Sequence, residues 1–135
     1  MLVLFAVNVR AADEPRDGNW WNVQTPIHRT TYVLGLIDGA DLGMTFAVPT
    51  AKLNSAGQAT PEFAAEMRAF FARYNAAEDK YFKSVEVGQV VDGVDEFFKD
   101  FRNRSIRVVG AVHVVLKQIA GEDTETLVRF LRQSK

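Results

Sequence analysis

The chain has no cysteine among its 135 residues. Disulfide cross-links, thiolate nucleophiles and cysteine-ligated metal centres are therefore excluded. A domain of this length can still stand on its hydrophobic core alone, so the absence does not argue against export. Histidine is almost as scarce. His28 and His113 are the only two, neither has a second ligand-type residue at metal spacing, and no His-Glu-x-x-His pair occurs. A Gly-x-Ser-x-Gly elbow, a phosphate loop and a dinucleotide fingerprint are all missing. No apolar run approaches the ~20 residues that span a bilayer. Charge of one sign is lacking too: 16 basic residues stand against 17 acidic ones, for a net of −1. There is thus no general pull toward nucleic acid or anionic lipid. The four prolines, at 15, 26, 49 and 61, all lie in the first half.

What is present is a well-stocked core. Apolar residues make up 47% of the chain, which excludes disorder as a description of the whole. The length suits one domain. At the start, Leu2 to Val7 is an unbroken apolar run, Val9-Arg10-Ala11 offers small residues where a signal peptidase reads, and Asp13-Glu14-Pro15 opens a polar stretch. That pattern is the back half of a secretory signal, without the basic residues that usually precede the apolar run. The expectation is a truncated signal peptide over residues 1–11, a single helical domain over 12–135, and a periplasmic or secreted location. Without residues 1–11 the net charge becomes −2, since one Arg and no acid is lost.

The hydrophobic spacing predicts an all-α bundle of about five helices. Thr25-Pro26 and Thr60-Pro61 are helix starts, with threonine at the N-cap and proline at the first helical position. The first helix runs from Pro26 to about Val48 and is stopped by Pro49; residues 49–59 form a loop. In the second, Phe63, Met67, Phe70, Tyr74, Ala77 and Tyr81 share one face, with Asn75 a point where it could break. Val87, Val90, Val91, Val94, Phe97, Phe98 and Phe101 form a third stripe, with Asp95 facing water four residues before Lys99. Ser105 caps a fourth helix from Ile106 to Ala120, closed by Gly121, with Val109, Val112, Leu116 and Ile119 inward. Asp123 caps a fifth through Arg132, burying Leu127, Phe130 and Leu131. Trp20 and Trp21 precede the first helix and close one end of the core.

Three groups of residues invite a functional reading. The first helix carries Gly35, Gly39 and Gly43 at four-residue spacing, on a face between Tyr32 and Phe46. Glycine inside a helix costs ~1 kcal/mol relative to alanine, so something must offset three of them. With an apolar stripe of Val33, Ile37, Ala40 and Met44 about 120° away, the helix reads as buried on two sides. The face of Tyr32, Gly35, Gly39 and Gly43 is then either an internal packing groove or a groove for a second copy or a foreign protein. Second, Leu36-Ile37-Asp38-Gly39-Ala40-Asp41 matches Val90-Val91-Asp92-Gly93-Val94-Asp95. Paired Asp-x-x-Asp motifs can hold Mg²⁺, which makes Asp38, Asp41, Asp92 and Asp95 weak metal candidates. They lie well off the apolar stripes and are expected to point to water. Third, Arg102, Asn103, Arg104, Ser105 and Arg107 crowd a helix start, where anions and acidic partners bind. The plainer alternative has Ser105 capping, Asn103 shaping a turn and Arg104 pairing with Asp100. His113 reads as a hydrogen-bonded residue at the edge of an apolar stripe.

The stretch Tyr32-Val33-Leu34-Gly35-Leu36-Ile37-Asp38-Gly39, and Gly88-Gln89-Val90-Val91-Asp92-Gly93 on through Asp100 to Ile106, resemble small exported helical proteins of bacteria. They distantly resemble the Rap/Tai-type immunity proteins of type VI secretion, which are periplasmic domains that block a sibling's toxin. That resemblance implies an exported protein acting by protein–protein contact. It carries over no functional residue. The sequence thus reads as a binding protein rather than an enzyme, needing no cofactor. Its partner is a protein or another copy, not nucleic acid, and the mature form is not membrane-inserted. The alternative is a metal- or anion-binding protein or enzyme using the four aspartates or the Arg102–Arg107 helix start.

Overall fold

The computed structural model describes residues 15–48 and 51–134. Six α-helices follow one another: α1 (Gly18–Asn22), α2 (Pro26–Ala47), α3 (Pro61–Tyr81), α4 (Val87–Lys99), α5 (Val108–Ile119) and α6 (Glu125–Gln133), with a 3-10 turn at Phe101–Asn103. The described residues form no strand, only isolated bridges between Asp17 and Arg107 and between Leu53 and Ala59. The class is all-α, as the spacing predicts. The count is six rather than five because the tryptophan pair sits in a helix of its own. At five residues, α1 is too short to show a helical period. It is set by Asp17, whose carboxylate accepts from the amides of Asn19 (2.9 Å) and Trp20 (3.1 Å).

The two threonine–proline starts hold. Thr25 accepts from the His28 amide at 3.4 Å and Thr60 from the Phe63 amide at 3.2 Å. α3 runs through Asn75 without a break. α4 starts with Gln89 reaching back to the Glu86 amide at 3.1 Å. The start of α5 departs from expectation: Ser105 lies in an exposed turn and Arg107 occupies the N-cap without a side-chain cap. Backbone does the capping instead. The Val108 amide donates to the Arg16 carbonyl at 2.7 Å, and the Gly18 amide donates to the Arg104 carbonyl at 3.0 Å. The segment before α1 thus lies across this helix start. Thr124 rather than Asp123 is the N-cap of α6; Asp123 accepts from the Glu125 amide one residue further on.

The core is built on α4 and α5. Val90, Val91, Val94 and Phe98 meet Val108, Ala111, Val112, Val115 and Leu116, and Trp21 and Val33 close one end. In α5, Val112 and Leu116 are buried as expected, but the buried set also takes in Val108, Ala111, Val114 and Val115 and is broader than the expected stripe. Val109 and Ile119, expected inward, are exposed. The helix is valine-rich on nearly every side, so its sequence offers little polar contrast to fix its rotation. Phe101 and Phe130 are likewise exposed rather than buried. His113 is exposed too.

A polar triangle locks α1, α2 and α4 together. Asp95 accepts from the Trp21 indole N–H at 2.5 Å, and both of its carboxylate oxygens lie 3.0 Å from the Arg29 Nη1 donor. Arg29 also donates to the carbonyls of Trp21 and Asn22 at 3.2 Å, which ends α1. Asp95 therefore faces its neighbours rather than only water. Lys99 pairs with Glu96 instead, at 2.5 Å. A buried indole N–H requires an acceptor, and Asp95 is the one within reach.

Candidate functional site: the outward face of α2

The apolar residues of α2 are spread round the helix, with no single polar side, a pattern closer to a helix enclosed by its own fold than to a surface helix. Here only one side is enclosed. Val33 is fully buried, and Leu36, Ile37 and Met44 are half-buried beside it. At ~100° per residue, Ile27, His28, Thr31, Leu34, Gly35, Asp38, Gly39, Leu42 and Phe46 lie on the opposite side. Phe46 is 81% exposed, Ile27 68%, Leu42 59% and Leu34 45%. Among the described residues nothing lies within 4 Å of where a Cβ would stand on Gly35, Gly39 or Gly43. The expectation that α2 is buried on two sides is thus corrected: its glycine face is not filled by the described part of the chain. Tyr32 does not bound this face. It is half-buried under the tryptophans, with ring centres 5.0 Å from Trp20 and 6.5 Å from Trp21, and the Arg16 guanidinium lies 5.5 Å from its ring centre.

The C-terminal half of α2 stands beside α3, which has no fully buried residue. A cleft of about 100 Å³ separates them, walled by Ile37, Ala40, Ala77 and Phe82. At its rim the Tyr74 hydroxyl donates to Asp41, which pushes the phenol up to about 12. At the far end, α3 is tied to the α5–α6 corner. Glu122 accepts from Lys117, from Lys80 and from the Tyr81 hydroxyl, all at 2.5 Å. Lys117, then Lys80 and Tyr81, hold its carboxyl down at about 2.

The four aspartates do not form a metal centre. Asp95 is engaged by Trp21 and Arg29, Asp41 by Tyr74, and Asp38 and Asp92 are exposed. Among the described residues no three acidic or histidine side chains come close enough to hold a metal ion.

The Arg102–Arg107 segment divides in the same way. Arg102 binds the Asp100 carboxylate in a fork at 2.7–3.1 Å, and Arg132 from α6 reaches the same carboxylate at 3.0 Å. Both guanidiniums hold Asp100 at about 2, Arg102 contributing most. Arg104 is not its partner. Asn103 is buried: its amide donates to the Phe97 carbonyl at 2.8 Å and its carbonyl accepts from Arg132 Nε at 2.8 Å. It joins α4 to α6 and borders an open cleft of about 430 Å³ between the turn and α6. Of the helix-start amides suited to an anion, Ile106 donates to the Asn103 carbonyl and Val108 to Arg16. Arg104, Ser105 and Arg107 are exposed.

Sequence reasoning had picked out the glycines of this face but missed Leu42 as a member of it, as well as the Asp95–Trp21–Arg29 triangle. The unpaired indole was the available signal for the latter. No helix among the described residues is long and apolar enough to cross a membrane. Comparison of the chain with known protein families, curated proteins and solved structures yields no match.

Proposed function

We propose that this chain is a small exported helical protein that works by protein–protein contact, with the outward face of α2 as its contact surface. The observation that carries the reading is the mismatch between α2's composition and its burial. A helix whose apolar residues are spread over several sides leaves Leu34, Leu42 and Phe46 exposed, beside three glycines that serve no packing among the described residues. Surfaces of this kind mark interaction sites. Export rests on the leader-like residues 1–11, which lie outside the described residues. The likeness to periplasmic immunity proteins points the same way.

Site-specific photocrosslinking tests the surface. A photoreactive phenylalanine analogue replaces Phe46 in one strain and Phe130, also largely exposed but on α6, in another. A discrete adduct from position 46 and none from 130 is the expected result. Adducts from 130 alone, or from neither, overturn the reading.

A further inference from the structure

The reading of α2 as a contact surface leaves its occupant open, and the inference here rests on that reading. We propose that the occupant is a second copy of this chain, seated on the same face by a two-fold axis. Three observations support it.

The first is shape. A two-fold pair presents one patch to itself, so the patch must contain both a ridge and a groove. This one does: Leu42 and Phe46 stand two turns beyond Gly35 and Gly39 on the same side, so large side chains share the face with positions that have none.

The second is charge. Asp38 is the only formal charge among Ile27, Thr31, Leu34, Asp38, Leu42 and Phe46. Contact cores are depleted in charge, whereas a face adapted to a charged partner would carry complementary groups of its own.

The third is area. Ile27, Leu34, Leu42 and Phe46 together leave roughly 500 Å² of side chain open on each copy, taken at ordinary residue areas. A pair would cover about 1,000 Å², the level at which specific interfaces separate from incidental ones. That suits a dimer that forms and dissociates rather than an obligate one. The glycines also have a role here. Each weakens α2 in the isolated chain, and close approach of a second helix is the contact that would offset it.

Sedimentation equilibrium of the full chain tests this, with circular dichroism as the check on folding. The wild type is expected to populate dimer, and Leu42→Glu with Phe46→Glu to raise the dimer dissociation constant at least tenfold at unchanged helicity. Phe130→Glu is expected to leave it alone. Should the charged pair disturb folding, Gly39→Leu serves instead. Nothing described stands within 4 Å of the new Cβ, so the single chain tolerates it while the groove is filled. At least a tenfold loss is again expected, and an unchanged dimer overturns the proposal. A wild type that stays monomeric overturns the second copy but leaves the α2 face standing, because a crosslink from position 46 would then report a different protein. A dimer indifferent to Leu42→Glu with Phe46→Glu but broken by Phe130→Glu overturns both.

Discussion

Two six-residue stretches of this chain share one pattern and lead different lives. In α4, Val90 and Val94 are sealed in the core, Asp95 holds Trp21 and Arg29, and Gly93 lets α5 come close. A Cβ there would stand 2.5 Å from Val115 Cγ1. In α2, Leu36 and Ile37 are half-buried, while Asp38, Gly39, Ala40 and Asp41 are exposed. A Cβ on Gly39 would meet nothing described. Local sequence is nearly constant between the two, so the neighbours make the difference. α4 is enclosed by α1, α2, α5 and the 3-10 turn, whereas the second half of α2 has mainly α3 beside it. One pattern therefore builds a core in one place and a surface in the other.

The comparison is broken most directly with phenylalanine. Phe98 is 1% exposed and Phe46 is 81% exposed. Phe98→Ala leaves a cavity between α4 and α1 and is expected to cost ~3–5 kcal/mol. Phe46→Ala removes a side chain that water already reaches, and in the dissociated chain it is expected to change stability by no more than ~0.5 kcal/mol. Urea unfolding at low protein concentration reads both. A loss of several kcal/mol at Phe46 under those conditions would mean that α2's outward face is covered within a single chain.

The matched glycines give a smaller effect with opposite signs. Gly39→Ala is expected to stabilise the dissociated chain by up to ~1 kcal/mol, the ordinary gain in helix propensity. Gly93→Ala has the same gain but forces Val115 aside, and overpacking of this kind costs ~1–3 kcal/mol. The net expected is a loss. Thermal unfolding of the two variants side by side would show midpoints moving apart. If both rise together, Val115 repacks freely and α4 is no more crowded than α2.

Much of this architecture was legible in the residues, and the parts that were not share a cause. The Thr-Pro starts, the long α2 and α3 and the stripe of α4 follow from caps and spacing, which are local. α1 escaped because five residues carry no period, and in α5 the spacing places Val112 and Leu116 inward correctly but Val109 and Ile119 wrongly, because valine on several sides gives no polar contrast. The glycine spacing that marks the candidate site was visible too. That the glycines face outward was not, since spacing says which residues share a face and not whether another element covers it. Asp95 shows the same limit. Its local partner, Lys99, lay four residues away, but partners brought by the fold, Trp21 and Arg29, took its place.

The smallest effect concerns how the less buried region is fastened to the other. The foot of α3 is tied to the α5–α6 corner through Glu122, whose carboxyl is held at about 2 against an ordinary 4.5. A depressed folded-state value means that the tie is fully present above 4.5 and is lost as the pH falls through about 2. Asp100, lowered from 3.8 to about 2 by Arg102 and Arg132, titrates in the same window but joins α4 to α6. Glu122→Gln should therefore flatten the fall in stability between pH 4.5 and 2 only partly, leaving the share due to Asp100. Amide exchange locates the change. On acidification, protection around Lys80 to Phe82 should drop before that of α4 and α5, and in Glu122→Gln it should already be low at neutral pH. Salt should have the same directional effect, because these ammonium groups are partly open to solvent. If α3 and α5 lose protection together at every pH, α3 is fastened by its half-buried aromatic stripe rather than by charge, and the contrast between the two regions is one of exposure alone.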